Sequence, residues 1–174
     1  MNILLTIIGE GNKINVYGVN DNASDWNGKL QYGIFETKGG YTLNETKDDS
    51  LPANASTVIA SFDKAIYENA GYSNHGAFAV LKSNDVTVSQ HKLFINKFKD
   101  IILAKSEIPI QQKGDIAILS SPVFVCGVHV LHIDGESNCT DNCFDLIPGI
   151  PYTVKLGKGE KISIKTTGNG LMLK

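Results

Sequence analysis

Apolar and polar residues alternate with a period of two along most of this 174-residue chain. The alternation is strict at residues 161–165, and it recurs at 29–34 and 150–156. Successive side chains of an extended strand point to opposite faces, so this period places the apolar residues on one face. The pattern is typical of half-buried strands in antiparallel sheets.

Short segments rich in Gly, Asn, Asp and Pro separate the alternating segments, for example Gly39-Gly40 and Asn84-Asp85. Many short strands divided by such turn signals favour β-sandwiches. We therefore predict an all-β chain of two tandem immunoglobulin-like antiparallel β-sandwich domains, residues 1–103 and 104–174. The predicted strands are residues 3–9, 13–20, 29–36, 41–49, 56–62, 76–83, 86–96, 106–112, 115–121, 123–133, 143–147, 150–156, 161–166 and 170–173.

One short helix is predicted at residues 63–71, with Asp63 as its N-cap and Gly71 just past its end. The junction between the two predicted domains, residues 98–105, contains no Gly, Pro or Ser. It is therefore unlike a flexible linker, and its apolar residues indicate a packed connection.

Composition and charge narrow the classes of function. The 42% apolar and 20% charged content is ordinary for a folded protein, and a formal charge of −2 argues against a nucleic-acid-binding surface. All 16 basic residues are Lys, so the bidentate Arg clamp for phosphate is absent from the sequence. No stretch approaches the roughly 20 apolar residues of a membrane span. The apolar residues 1–8 predict a strand rather than a signal peptide.

The cysteines and histidines raise the question of a metal site, and we predict none. Cys126, His129 and His132 lie in one predicted strand, and all three are common metal ligands. Cys126 and His132 share a face but are separated by roughly 20 Å of extended strand, while His129 faces the other way. Cys139 and Cys143 have the spacing for a disulfide, although three cysteines do not settle the redox compartment.

Other groups that carry chemistry do not form a recognisable constellation. The acids Asp48-Asp49, Asp141 and Asp145 suggest calcium, but no EF-hand spacing is present and acids in loops are usually solvated. His75 and His91 have no evident triad partners, and no Gly-x-Ser-x-Gly nucleophile elbow occurs. We therefore predict no catalytic residue and no cofactor.

Two features bear on sugars. Trp26 and the tyrosines are candidates for an aromatic platform that stacks on a sugar ring, although a single Trp at a strand entry is more often part of a core. We leave sugar binding open, with no residue assigned. Four Asn-x-Ser/Thr sequons are weak indications of N-glycosylation, at Asn22, Asn44, Asn54 and Asn138.

The segment 139–149, Cys-Thr-Asp-Asn-Cys-Phe-Asp-Leu-Ile-Pro-Gly, has a clear physical interpretation. Phe144 and Leu146 point to one face of a short strand and should be core residues. Pro148-Gly149 suits the centre of a type II turn, since Pro fixes φ near −65° and Gly permits a positive φ. Asp145, like the other acids of the segment, is predicted to be an ordinary loop residue.

The same segment resembles a (Ser/Thr)-Asp-Asn-x-Phe-Asp-Leu-x-Pro-Gly signature in the last immunoglobulin-like domain of family 2 glycoside hydrolases, the β-mannosidase branch in particular. Shorter similarities precede it in the same order as in the family. They are VYGVND at 16–21, WNGKL at 26–30, LPANAS at 51–56, LF at 93–94 and KDIIL at 99–103. Cys143 and Ile150 depart from the family pattern, which leaves the substrate subfamily open.

The resemblance implies a fragment of a larger enzyme that works outside the cytoplasm. The family's two catalytic glutamates sit on a (β/α)₈ barrel, which needs about 250 residues and a βα alternation that this chain lacks. The chain would then be a non-catalytic accessory region, whose partners are the barrel and N-terminal domains of its parent. The alternative is a stand-alone carbohydrate-binding or adhesion module. A small enzyme in its own right has no residue constellation in its favour.

Overall fold

The computed structural model describes residues 3–132 and 143–169. Its chain divides into two compact units, the first comprising 1–36 and 41–102 and the second comprising 37–40 and 103–174. Every strand pairing is antiparallel, and the prediction of an all-β chain built from sandwiches is confirmed. Among the described residues, no helix has the length and apolar character needed to cross a bilayer.

The first unit contains seven strands and one helix in two sheets. One sheet has the order β1-β2-β5 and the other β4-β3-β6-β7. The elements are β1 (Ile3–Glu10), β2 (Lys13–Asn20), β3 (Trp26–Glu36), β4 (Tyr41–Leu51), β5 (Ala55–Asp63), α1 (Lys64–Ala70), β6 (His75–Ser83) and β7 (Val86–Leu93). A 3₁₀ turn follows at Phe98–Asp100. The inward residues of both sheets form one core that includes Ile14, Leu30, Leu51 and Leu81.

The two sheets of the first unit meet along β1 and β7 without a backbone ladder. The N–H of Leu5 donates to Ser89 Oγ at 3.1 Å, and the N–H of Ile7 donates to His91 Nδ1 at 3.2 Å. Both bonds use alternate residues and advance in the same direction along the two strands. Side chains of β7 therefore satisfy the amide groups that β1 directs away from β2.

The described part of the second unit contains six strands in two three-stranded sheets, ordered β11-β10-β13 and β12-β9-β8. The strands are β8 (Ile110–Lys113), β9 (Ile116–Leu119), β10 (Val125–His132), β11 (Cys143–Leu146), β12 (Tyr152–Lys155) and β13 (Ile162–Thr166). Their inward residues form a second core around Leu119, Val128, Leu146 and Val154. The predicted strand at 170–173 lies outside the described residues.

Most strand predictions match within a few residues, and two differ for physical reasons. β3 begins at Trp26 rather than at residue 29, because Gly28 is accommodated in the sheet and pairs with Asp49. β8 begins at Ile110 rather than at residue 106. Pro109, which has no N–H to donate, directly precedes it.

The predicted helix is present, but its predicted cap is wrong in one respect. Asp63 occupies the N-cap position and makes no side-chain cap hydrogen bond. Its carboxylate instead accepts from Lys13 Nζ at 2.6 Å, because the β2–β5 register places Lys13 opposite Asp63. Gly71 ends the helix with a φ of 104°, as expected for glycine past a helix end.

Candidate functional site

The predicted metal and disulfide candidates lie around β10 and β11. Cys126 and His129 are half-buried residues of β10, and Cys143 is exposed at the start of β11. His132 is the last residue of β10. Asn138, Cys139 and Asp141, and with them the possible Cys139–Cys143 pair, lie outside the described residues. Within 3–132 and 143–169, no three His, Cys, Asp or Glu side chains are grouped in a way that could hold a metal ion.

Asp145 is not an ordinary loop residue, and that prediction is wrong. It lies in β11, and its Oδ1 accepts from the N–H of Gly127 at 2.8 Å. Gly127 has a φ of 57° at a register shift of β10, so Asp145 holds a β-bulge in place. The bulge also changes the alternation of β10, since Val125 and Val128 are both buried.

The rest of the 143–149 segment agrees with the predictions. Phe144 and Leu146 are core residues, and Phe144 stacks on Tyr152 with a ring-centroid distance of 4.2 Å. Pro148-Gly149 forms a turn in which the N–H of Ile150 donates to the carbonyl of Ile147 at 3.1 Å. Gly149 has the positive φ of 69° that a type II turn requires at that position.

His75 and His91 both bind backbone groups. His75 Nδ1 lies 3.0 Å from the carbonyl oxygen of Gly71. Since a carbonyl only accepts, Nδ1 carries the proton there. His91 Nδ1 has the opposite role, because it accepts from the amide of Ile7. Their geometry therefore gives both histidines a structural role.

A fully buried amide, Asn20, joins two of the motifs that carry the family resemblance. Its Nδ2 donates to the carbonyls of Ser24 and Leu51, both at 2.9 Å, and its Oδ1 accepts from the backbone N–H and side-chain amide of Asn22. The 51–56 turn is held further because the N–H of Ala53 donates to Asp25 Oδ1 at 2.9 Å. The sequence alone does not predict this network, since the spacing of the 16–21 and 51–56 motifs does not show that they are in contact.

A polar depression in the first unit lies at one end of the four-stranded sheet. It has a volume of about 780 Å³ and is lined by residues 27–29 of β3, 48–50 of β4 and 82–85 at the β6–β7 turn. We call it the polar cleft. That turn is of type I′, because both of its central residues, Asn84 and Asp85, have positive φ values of 49° and 62°.

The lining of the polar cleft carries both signs of charge. Two ammonium groups, of Lys29 and Lys82, and three carboxylates, of Asp48, Asp49 and Asp85, give a formal charge of 2 − 3 = −1. Lys29 pairs directly with Asp48 on one side and Lys82 on the other. Burial lowers the pKa of Lys82, and the charge of Asp85 partly opposes that shift. Lys82 Nζ donates to Gln31 Oε1 at 2.9 Å.

Gly28, in the wall of the cleft, lies beside the indole ring of Trp26 and opposite Asp49. A Cβ at Gly28 would lie 2.4 Å from Trp26 Cζ2, so the indole ring covers this position, and Asp49 is paired opposite it on β4. Trp26 Nε1 and Asp49 Oδ2 are the two buried side-chain polar atoms that lack a hydrogen-bond partner in the described part of the chain. Lys47 Nζ lies 3.1 Å from Asp49 Oδ2, which supplies charge without hydrogen-bond geometry.

Trp26 is only 7% exposed and belongs to the core of the first unit. The structural interpretation of this residue is therefore correct, and its ring faces are not a platform for a sugar. Among the sequons, Asn44 and Asn54 are exposed. Asn22 is half-buried and donates its side-chain amide to Asn20.

Comparison with known proteins identifies the class to which these features belong. The profile of the Mannosidase Ig/CBM-like domain family matches residues 12–100. The chain belongs to this family. Among curated protein sequences no significant match was found.

Solved structures with a similar fold extend the comparison. The β-D-mannosidase of Dictyoglomus thermophilum matches 93% of this chain with a TM-score of 0.72 and 19% identity, and the match covers 21% of that protein. The exo-chitosanase of Amycolatopsis orientalis matches 96% with a TM-score of 0.61 and 15% identity, over 26% of its length. The likeness is one of fold, and the chain spans about a fifth to a quarter of these structures.

Proposed function

We propose that the chain is a non-catalytic accessory region of a larger family 2 glycoside hydrolase, β-mannosidase-like, whose catalytic barrel lies elsewhere in the same polypeptide. One observation carries the proposal. The family profile covers residues 12–100, while 93% of the chain aligns with only 21% of a β-D-mannosidase. In such an enzyme the other domains are its partners. We also propose that the boundary between the two sandwiches follows Leu103.

An exposed apolar face on the first unit supports this role. On the outer side of the β1-β2-β5 sheet, Leu4 is 57% exposed, Val58 47% and Ile8 41%. The register places Leu4 beside Val19, and Tyr17 beside Val58. Several large apolar side chains exposed on one sheet face are typical of an interaction site. We propose that another domain of the parent enzyme packs on it.

The first test is the coding sequence that adjoins this region. A barrel with two glutamates at strand ends is expected in the same reading frame, and an unrelated neighbouring region would overturn the proposal. Purified residues 1–174 should not release p-nitrophenol from p-nitrophenyl β-mannoside. Turnover that persists through repeated purification would also count against an accessory role.

The second test examines the apolar face in the full-length parent enzyme. Leu4→Lys and Val58→Lys should lower its melting temperature, because each places a charge in a buried contact. Val86→Lys is the matched control, since Val86 is 41% exposed in the same unit but lies at the start of β7. Equal melting temperatures for all three variants would show that this face does not dock.

A further inference from the structure

Lys82 is a half-buried amine in the wall of the polar cleft. Its Nζ donates to Gln31 Oε1 at 2.9 Å, and Gln31 Nε2 donates onward to Asn44 Oδ1 at 3.0 Å. The acceptor of the ammonium is thus a neutral amide. No ion pair of Lys82 with an acid occurs in the described part of the chain, whereas Lys13 lies 2.6 Å from Asp63.

The charges around Lys82 act on it in opposite directions. The β3–β6 register places Lys29 directly opposite Lys82, a relation in which Cβ atoms are about 4.5–5.5 Å apart and like charges repel. Asp85 in the β6–β7 turn favours the ammonium, and Asp48 and Asp49 complete the charged lining. Burial has the largest effect, and it lowers the pKa of Lys82 in spite of Asp85. The cleft therefore holds an amine that releases its proton more readily than an ordinary lysine.

A lysine that loses its proton readily is suited to reaction with a carbonyl carbon. The neutral amine is the nucleophile, and burial or a neighbouring cation activates the lysines that form Schiff bases. Both features are present at Lys82. The cleft has a volume of about 780 Å³, which lies within the roughly 300–1,000 Å³ of small-molecule sites. A small aldehyde therefore fits in the cleft that Lys82 lines.

We propose that Lys82 is a covalent modification site, at which a small aldehyde condenses with Nζ to form an imine. After the ammonium has released a proton to solvent, the Nζ lone pair bonds to the carbonyl carbon. The C=O π electrons move to the oxygen, which takes up one proton from the nitrogen. The resulting carbinolamine loses its hydroxyl group and the remaining N–H proton as water, which leaves a C=N bond. This site does not depend on the accessory role, because all residues of the cleft belong to the first unit.

Competitive labelling of the 16 lysines tests the proposal. The folded chain is treated near neutral pH with limiting propanal, and sodium cyanoborohydride reduces each imine to a stable propylamine. Digestion with a protease that does not cleave at Lys, followed by mass spectrometry, gives the initial rate at each side chain. Lys82 should react several-fold faster than Lys29 in the same cleft and Lys13 in its ion pair. A rate at Lys82 equal to or below that of Lys29 overturns the proposal.

Charge variants test the cause of the selectivity. Asp85→Asn removes an attraction that favours the ammonium and should raise the rate at Lys82, whereas Lys29→Gln removes a repulsion and should lower it, each by about twofold at low salt. Lys64→Gln, which removes a charge in α1 outside the cleft, is the matched control and should leave the rate unchanged. Circular dichroism verifies that each variant folds. Changes of the opposite sign, or no change in either cleft variant, overturn the proposal.

Denaturation separates an effect of the fold from one of the local sequence. In concentrated guanidinium chloride the burial and the cross-strand pairing of Lys82 are lost, so its rate should fall to that of the other lysines. The selectivity of the folded chain should also narrow as the pH rises towards about 10.4, where an ordinary lysine is half neutral. Selectivity that persists in denaturant, or that is the same at every pH, shows that the fold does not activate this amine and overturns the site.

Discussion

The two units reach similar sandwiches by different means. All seven strands of the first unit are 8–11 residues long, whereas four of the six described strands of the second unit have four residues. Long ladders of backbone hydrogen bonds connect the strands of the first unit. In the second, single polar side chains fix the segments between short strands. Asn169 accepts from the N–H of Cys126 and donates to the carbonyls of Ala104 and Phe124, and Asp145 holds Gly127.

The two units therefore differ in which sequence positions determine their folds. In the first unit the determining positions are spread over many alternating apolar residues, and the family profile matches this unit at residues 12–100. In the second unit a few residues at bulges and turns determine how the short strands are connected. A substitution at one such position should therefore perturb the second unit more than a typical strand substitution.

The largest expected effect is the loss of a core side chain from the short-stranded unit. Leu146 is fully buried, and Leu146→Ala should cost about 2–5 kcal/mol of unfolding free energy, because it removes apolar contacts and leaves a cavity. Ile118→Ala is the matched control, since Ile118 is 39% exposed in the same unit. Hydrogen exchange of the amides in β9–β13 measures both, and equal costs would contradict the assigned core.

The long-stranded unit should carry an alkaline limit to its stability. Burial raises the pKa of Tyr67 to about 12. In the unfolded chain the pKa of Tyr67 is near 10. Because the folded pKa is higher, the stability that the protonated Tyr67 contributes is fully present below pH 10 and is lost as the pH rises towards 12. At 1.36 kcal/mol per unit this loss has an upper limit of about 3 kcal/mol, which solvent screening reduces. Urea unfolding at a series of pH values should show the decline.

Tyr67→Phe is the test variant, because it removes the ionising group. It also removes a hydrogen bond to the carbonyl of His75, so this variant should be less stable at neutral pH and show a flatter profile above pH 10. An unchanged alkaline decline would assign the effect to another group, with Tyr32 first, because burial and Glu45 raise its pKa to about 12.

Substitution of Asn20 in the first unit and of Asn169 in the second allows a direct comparison of the two units. Asn20 is fully buried and Asn169 half-buried, and each alanine variant leaves several backbone groups without partners. We expect a cost of roughly 1–3 kcal/mol in each case, with the higher value for Asn20→Ala because of its deeper burial. Chemical denaturation of both variants provides the comparison. A larger cost for Asn169→Ala would show that the second unit depends more strongly on side-chain bonds.

The smallest effects should come from the hairpin turns. In the first unit Asp85 has a φ of 62°, so Asp85→Gly should stabilise slightly, because glycine adopts this φ in a type I′ turn without steric cost. In the second unit Gly114 has a φ of 59°, so Gly114→Ala should destabilise by about 1 kcal/mol. Thermal unfolding should shift in opposite directions, and shifts of the same sign would contradict the turn assignments.

Local sequence patterns predicted the structural features that depend on residues adjacent in the chain. The alternation located the strands, Asn84-Asp85 predicted a turn, and Phe144 and Leu146 were identified as core. Each of these features follows from a few adjacent side chains. The resemblance added the order of the motifs along the chain, and the family membership of residues 12–100 agrees with it.

What the sequence did not show depends on partners distant along the chain. Asp63 was predicted to cap α1, but its partner, Lys13, is brought to it by the β2–β5 register. Asp145 supports a bulge 18 residues away. The polar cleft was missed because it joins β3, β4 and the β6–β7 turn, and neither Asp49 nor Lys82 lies in a recognisable binding motif.

The side-chain bridges between β1 and β7 have a consequence for self-association. A strand at the edge of a sheet with free amide groups can pair with a strand of another molecule. The amides of Leu5 and Ile7 are already occupied by Ser89 and His91. Any such chain approaching this edge would have to displace both side chains first. Two polar side chains thus protect an apolar strand against the growth of an intermolecular sheet.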